Sequence, residues 1–274
     1  MATLPPIAII GAGNLGCAIA DGLVAAGATA PEAVVLTRRH AHHLDAFAAR
    51  GFAVTADNRA AVRRARLVIV AVEPQQLDGV LDEIAPDLVA GEHTLISVVT
   101  GARLAAVAAR LGDGVAVVRA MPNTAVAVRE AMTCLATRKG DEAAISDARA
   151  IFDTVGRTLV IDEENMTAAT ALGACGIAFF LRAIRAASQG GIEIGFASDD
   201  ALAIAAQTAR GAATLLLANG HHPEYEIDRV TTPRGCTIAG LNRMEQAGFS
   251  AALITGIRVS AQRAAGLYVG EDGG

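Results

Sequence analysis

The ten residues Ile7-Ala8-Ile9-Ile10-Gly11-Ala12-Gly13-Asn14-Leu15-Gly16 decide how this chain is read. An apolar run of four suits a buried strand, and Gly11, Gly13 and Gly16 follow it in a G-x-G-x-x-G pattern at the start of a helical stretch, Asn14 to about Ala26. Gly11 permits a tight turn, Gly13 lets backbone approach a pyrophosphate, and Gly16 allows a helix to pack closely on its strand. Free N–H groups at the helix start would receive the phosphates. Further strands are expected at Val34–Leu36, Phe52–Val54, Leu67–Val72, Thr94–Val98, Val115–Arg119, Met132–Ala136 and Thr158–Ile161. Runs that are apolar throughout, separated by Ala-rich helices, predict a parallel sheet covered on both faces. A helix from Asp141 to Thr154 closes this half.

After about Asp162 the periodicity becomes helical only. Ile177, Phe180, Leu181 and Ile184 share one face, with Arg182 and Arg185 on the other. Gly190-Gly191 is expected to break that helix, and Ser198 to cap the next, which runs to Asn219-Gly220. Helices over Cys236–Gln246 and Ser250–Leu267 follow, and the end Gly270–Gly274 is expected to fray. The reading is a doubly wound α/β domain over 1–162 and an all-helical domain over 163–274.

Composition narrows the function. Of 274 residues, 53% are hydrophobic and 19% charged, which excludes disorder. The longest apolar runs look too short to span a bilayer, and Met1–Pro6 shows no secretory signal, so a soluble cytoplasmic protein is expected. A net charge of −5 with no Trp lacks the basic, aromatic face of a nucleic-acid binder. Cys17, Cys134, Cys175 and Cys236 form no C-x-x-C pair and suit reduced thiols. The paired histidines His42-His43 and His221-His222 match no zinc spacing, so no metal is expected.

The second strand bears on the cofactor. A site for NAD places an acid at its end, whereas here Thr37-Arg38-Arg39 offers a hydroxyl and two guanidiniums, suited to a 2′-phosphate. NADPH is therefore expected over NADH. With Ile10, Ala12 and Leu15 beside the glycines, further cofactor contacts are expected at strand ends: Asn58, Ala71-Val72-Glu73-Pro74, Thr100, and Met121-Pro122-Asn123. In the helical half, Val230-Thr231-Thr232-Pro233-Arg234-Gly235-Cys236-Thr237-Ile238-Ala239-Gly240-Leu241 runs from a Pro/Gly turn into a helix. Unpaired N–H groups there form a natural carboxylate cradle, and the Thr237 hydroxyl can donate or accept at a reacting nitrogen.

These segments together resemble the pyrroline-5-carboxylate reductase family. The resemblance covers nearly the whole chain: Gly11–Gly16, Ala71–Pro74, Arg119–Thr124, Gly190–Gly195 and Val230–Leu241. The family's V-T-S-P-G-G-T-T-I-A-G-L is kept at Val230, Thr231, Pro233, Gly235, Thr237, Ile238, Ala239, Gly240 and Leu241. The resemblance implies a Rossmann domain followed by a helical dimerisation domain. It further implies an interlocked homodimer, possibly assembled into a ring of dimers. Each active site would combine one subunit's cofactor domain with helices of its partner. NADPH would reduce the cyclic imine 1-pyrroline-5-carboxylate to L-proline. Thr237 is implied as the catalytic contact to the ring nitrogen, with Thr232, Gly235, Cys236 and Cys175 around the substrate. The family's S-G-S-G-P-A appears as Gly173-Ala174-Cys175-Gly176-Ile177-Ala178; Arg234 replaces a glycine, Cys236 a threonine or alanine, and Glu73 a lysine.

Three other readings compete. A 3-hydroxyacid dehydrogenase shares the plan but needs a lysine in the helical half, and Lys139, the single lysine, lies before it. A related reductase for another cyclic imino acid fits the altered motif. So does a non-catalytic NADP-binding redox sensor, for which Cys175 and Cys236 would be the thiols.

Overall fold

The computed structural model describes residues 4–112 and 114–268, so the expectations for Met1–Thr3 and for Gly270–Gly274 lie outside the described residues. Eight strands form one sheet: β1 Ile7–Ile10, β2 Val34–Thr37, β3 Ala53–Thr55, β4 Leu67–Val70, β5 Thr94–Ser97, β6 Ala116–Met121, β7 Ala131–Thr137 and β8 Gly156–Val160. The helices are α1 Asn14–Ala25, α2 Asp45–Ala48, α3 Asn58–Val62, α4 Leu77–Ile84, α5 Leu104–Leu111, α6 Glu142–Phe152 and α7 Met166–Ala169. They continue as α8 Gly176–Glu193, α9 Ser198–Asn219, α10 Pro223–Val230, α11 Cys236–Gln246 and α12 Phe249–Ala264.

Strand order is β3-β2-β1-β4-β5-β6-β7-β8. The first six strands have the doubly wound order, which places a switch point between β1 and β4. Successive residues of one strand enter different cores. Ile7 and Ile9 join the cluster with Leu36 and Ile69, whereas Ala8 and Ile10 join the one with Val35 and Val68. Period-2 geometry thus explains why strands covered on both faces are apolar at every position. Burying each of these Ile, Leu and Val side chains contributes about 1.5–3 kcal/mol.

One pairing departs from the parallel expectation: β7 runs antiparallel to β6, with Met121 opposite Cys134. The link between them holds only a short 3-10 turn, Thr124–Val128, too short for the crossover that a parallel pair requires.

The described residues form two compact units. One unit holds the chain to Cys175 and again from Ser260; the other is Gly176–Val259. The reason is packing: Met166 and Ala171 are fully buried, Met166 within the sheet domain's second core, and Tyr268 packs against that core too. Tyr268 donates its hydroxyl hydrogen to Asp78 at 2.6 Å. Burial and then this bond push the Tyr268 phenol up to about 12.

In the helical unit, Gly190-Gly191 does not break its helix, since α8 continues to Glu193. A Cβ on Gly191 would lie 3.0 Å from Ala201 Cβ, so this glycine permits close approach of α9 to α8. Ser198 is the first helical residue and Ala197 the cap, with no side-chain capping bond. Helix α10 has no counterpart among the expected elements.

The described residues cover the expected apolar face of α8 only in part: Ile177 and Ile184 are half-buried, but Phe180 and Leu181 are each 59% exposed. By length and composition, the helical stretches Glu163–Glu193 and Ser198–Asn219 could cross a membrane. This corrects the expectation that every apolar run is too short. Such a surface requires a cover, either lipid or protein.

Candidate dinucleotide and substrate site

The carboxyl ends of β1, β2 and β4 open onto a cleft of about 750 Å³. Ile10, Gly11, Gly13, Arg38, Arg39, Asn58, Ala71, Val72 and Glu73 line it, so nine expected cofactor residues come together at the switch point.

Each glycine has its own physical reason. Gly11 has φ +82°, and a Cβ there would overlap Val72 Cγ1 and lie 3.0 Å from the Ala71 carbonyl oxygen. A Cβ on Gly13 would meet only the Gly11 carbonyl oxygen, at 3.9 Å, so its open side faces the cleft. A Cβ on Gly16 would lie 3.0 Å from Ile9 Cγ2, the close helix–strand approach its position demands. No side chain caps α1 at Gly13 and no acid sits in its first turn, which leaves the positive end of the helix available to an anion. Gly11→Ala is expected to weaken dinucleotide binding at least about ten-fold and to cost about 2–3 kcal/mol of stability. Fluorescence titration and thermal unfolding check both; unchanged binding would refute the cradle assignment.

Thr37 requires a correction. It is fully buried, its hydroxyl donates to Asn58 Oδ1 at 2.6 Å, and it accepts the Gly11 N–H at 3.2 Å. Asn58 Nδ2 in turn donates to Glu83 Oε2 at 2.9 Å. The Thr37 hydroxyl therefore links the glycine turn to α3 and α4 rather than meeting a phosphate.

Other expected residues also fall outside the cleft lining. Ala12 is buried, and its N–H donates to the Thr37 carbonyl at 2.7 Å. Leu15 packs on the first core, Asn14 is exposed, and Pro74 opens a 3-10 turn. Met121 and Pro122 are buried at the end of β6, and Thr100 precedes the turn at Gly101 against Tyr268. Asn123 uses its amide internally: Oδ1 accepts from Ala125 N–H at 3.1 Å, and Nδ2 donates to the Gly173 carbonyl at 3.2 Å. The cleft also takes His40, His43, Gln75, Gln76 and Glu83, none of them among the expected residues.

In the other unit, the Thr232 carbonyl accepts the Gly235 N–H at 2.8 Å, closing a β-turn. A Cβ on Gly235 would overlap Thr232 Oγ1 and lie 2.9 Å from the Thr232 carbonyl oxygen. Arg234, third in that turn, has φ +60°, the conformation that a type II turn reserves for glycine. This is the position where the resembling family has glycine. Helix α11 begins at Cys236 with Gly235 as its cap and no side-chain capping bond. Cys236 is exposed and Thr237 half-buried. Thr232, Gly235, Cys236 and Thr237 thus share one turn and one helix start. Cys175 belongs to the first unit, where its N–H donates to the Thr170 carbonyl at 2.9 Å and closes the π turn Thr170–Ala174.

Burial pushes the Cys17 and Cys134 thiols up, as enclosure among apolar neighbours does.

Comparison with known proteins fits this architecture. A family described as pyrroline-5-carboxylate reductase dimerisation matches residues 163–267. One described as NADP oxidoreductase coenzyme F420-dependent matches residues 6–101. Pyrroline-5-carboxylate reductase 1 of Dictyostelium discoideum is 52% identical, covering 96% of this chain and 50% of that protein. The chain thus spans half the length of that relative. Pyrroline-5-carboxylate reductase 2 of the same organism is 45% identical, covering 94% of this chain and 91% of that protein. The solved pyrroline-5-carboxylate reductase of Coxiella burnetii superposes with a TM-score of 0.88 at 28% identity, covering 98% of this chain and 100% of that one. The match over 163–267 supports self-association. With 45% identity over nine-tenths of a curated relative, the chain belongs to the pyrroline-5-carboxylate reductase family.

Proposed function

We propose that the protein reduces 1-pyrroline-5-carboxylate to L-proline, the last step of proline biosynthesis, with NADPH preferred over NADH. The 45% identity to a named reductase, sustained over nine-tenths of both chains, carries this reading.

The cleft residues suit a nicotinamide dinucleotide. Gly13 leaves space that a side chain would fill, and the α1 N-terminus offers N–H groups to the pyrophosphate. Arg38 and Arg39 line the cleft directly after β2, where the chain itself carries no acid to hold a ribose 2′-hydroxyl and two guanidiniums suit a 2′-phosphate. When bound, the nicotinamide supplies the hydride that reduces the C=N carbon.

The protein's own residues have a simpler task. Protonation of the imine nitrogen makes its carbon electrophilic, so the chain mainly binds, orients and excludes water. N–H groups at the start of α11, near Gly235 and Cys236, hold the substrate carboxylate, and the Thr237 hydroxyl orients the ring nitrogen. The family resemblance supports an interlocked dimer that completes each site, assembly into rings, and a cytoplasmic location.

The test is to follow NADPH or NADH absorbance with pyrroline-5-carboxylate in wild type and in an Arg38→Ala/Arg39→Ala double variant. Turnover with NADPH preferred is expected, and the double variant should cut that preference about ten-fold or more. Turnover preferring NADH would retain the reductase and refute the cofactor preference. Turnover only with a six-membered imino acid would reassign the substrate.

A further inference from the structure

The residues after Arg39 fold into a tight turn that the reductase reading leaves without a role. Ala41–Leu44 forms a 3-10 turn, His43 N–H donates to the His40 carbonyl at 3.1 Å, and buried Leu44 anchors it to the core. His40 caps this turn and His43 lies within it, and both line the cleft beside Arg38 and Arg39. His42 is exposed outside the lining, its ring centroid 4.2 Å from that of His43; the His40 and His43 centroids lie 6.2 Å apart.

We infer that His40 and His43 complete, with Arg38 and Arg39, a cationic cluster for the cofactor's 2′-phosphate whose hold tightens as pH falls. The inference rests on assigning a 2′-phosphorylated dinucleotide to this cleft.

The cluster is built for an anion. Among the described residues no group of three His, Cys, Asp or Glu is placed to hold a metal ion. The charged or titratable groups acting on His43 are His42 and His40 beside it, Arg38 just after β2 and Asp45 of α2; Arg39 lines the same cleft, and β3 has no charged residue. Glu83 and Glu73 line the same cleft, with Glu83 hydrogen-bonded to Asn58. His42 above all, then loss of water, Arg38 and His40, hold the His43 imidazole below its ordinary value, opposed only by Asp45. A doubly charged phosphate reverses that balance by favouring the imidazolium. By linkage, binding then takes up protons, and affinity rises as pH falls toward the histidine range. NADH has no 2′-phosphate, so the same change should leave it unaffected.

The test is calorimetric titration of NADPH and NADH into wild type and a His40→Asn/His43→Asn double variant, at pH 8.0 and 6.5. Each titration is repeated in two buffers of different ionisation heat. Wild type is expected to bind NADPH about three- to five-fold tighter at pH 6.5, with net proton uptake and no such change for NADH. The double variant should lose both the tightening and the uptake, while still preferring NADPH at pH 8.0. Tightening and uptake that survive in the double variant would overturn the histidine role and leave the cofactor assignment intact. Wild type binding NADPH no tighter than NADH at either pH would overturn the cofactor assignment, and this inference with it.

Discussion

Thr237→Ala is expected to lower turnover of pyrroline-5-carboxylate by about 100-fold, the usual cost of removing one donor aimed at a reacting atom. Dinucleotide affinity should stay within two-fold, roughly the scatter of substitutions that touch no ligand, because Thr237 belongs to a different unit from the glycine cleft. The surroundings of Thr237 are fixed by other residues. The Thr232–Gly235 turn tolerates no Cβ at Gly235, and α11 starts without a side-chain cap, so the turn survives loss of the hydroxyl. Thr237→Ser keeps the oxygen and should recover most of the rate. Steady-state kinetics with a fluorescence titration of NADPH separates the two effects; an alanine variant with wild-type turnover would remove Thr237 from the mechanism.

Gly156→Ala should be the most damaging single methyl in the sheet domain. Gly156 has φ +154° and pairs with Ala131 at the start of β8. A Cβ there would overlap the Ala131 carbonyl oxygen and lie 2.5 Å from the Ala131 nitrogen, both backbone atoms of a buried strand. No side-chain rotation relieves that overlap, so β7 and β8 must separate. We expect a loss of more than about 3 kcal/mol, seen as a fall in Tm of about 10 °C. Gly140→Ala is the control. Its φ is +102°, but a Cβ there meets nothing within 4 Å, so only backbone strain of about 1–2 kcal/mol applies. Equal effects of the two substitutions would show that strain, rather than the clash with Ala131, sets the cost.

Much of this fold was legible because the sheet's chemistry is local. Ile7–Ile10 and Leu67–Val70 are apolar at every position, as strands sandwiched between helices must be, and they appear where expected. The direction of β7 could have been read from the short link after Met121, but strand patterns alone are blind to direction. Helix α10 is only eight residues long and polar on average, with Ile227 and Val230 its only aliphatic residues; its signals were Pro223 at the first position and Glu224 and Glu226 in the first turn. Gly190-Gly191 misled because helix propensity disfavours glycine, while packing against Ala201 favours it at Gly191.

The site was legible in its backbone and less so in its side chains. Gly11, Gly13, Arg38 and Asn58 were identifiable by position after a strand, yet sequence could not show that Thr37 faces inward to join Asn58. His40 and His43 went unrecognised as cleft residues because a short 3-10 turn, which has no apolar period to announce it, brings the chain back to the cleft there.

The return of the chain at Ser260 has a consequence for how the protein is made. The helical unit is an excursion from the sheet domain, which is finished only by Ala264, buried at 4% exposure, and by Tyr268 bonded to Asp78. During synthesis the eight strands emerge first, but the piece that seals α4 and the Gly101 turn emerges after every helix of the excursion. A ribosome stalled anywhere between Gly176 and Val259 would therefore hold a sheet with its last seam open, and the nascent chain would be most vulnerable to proteases over that interval.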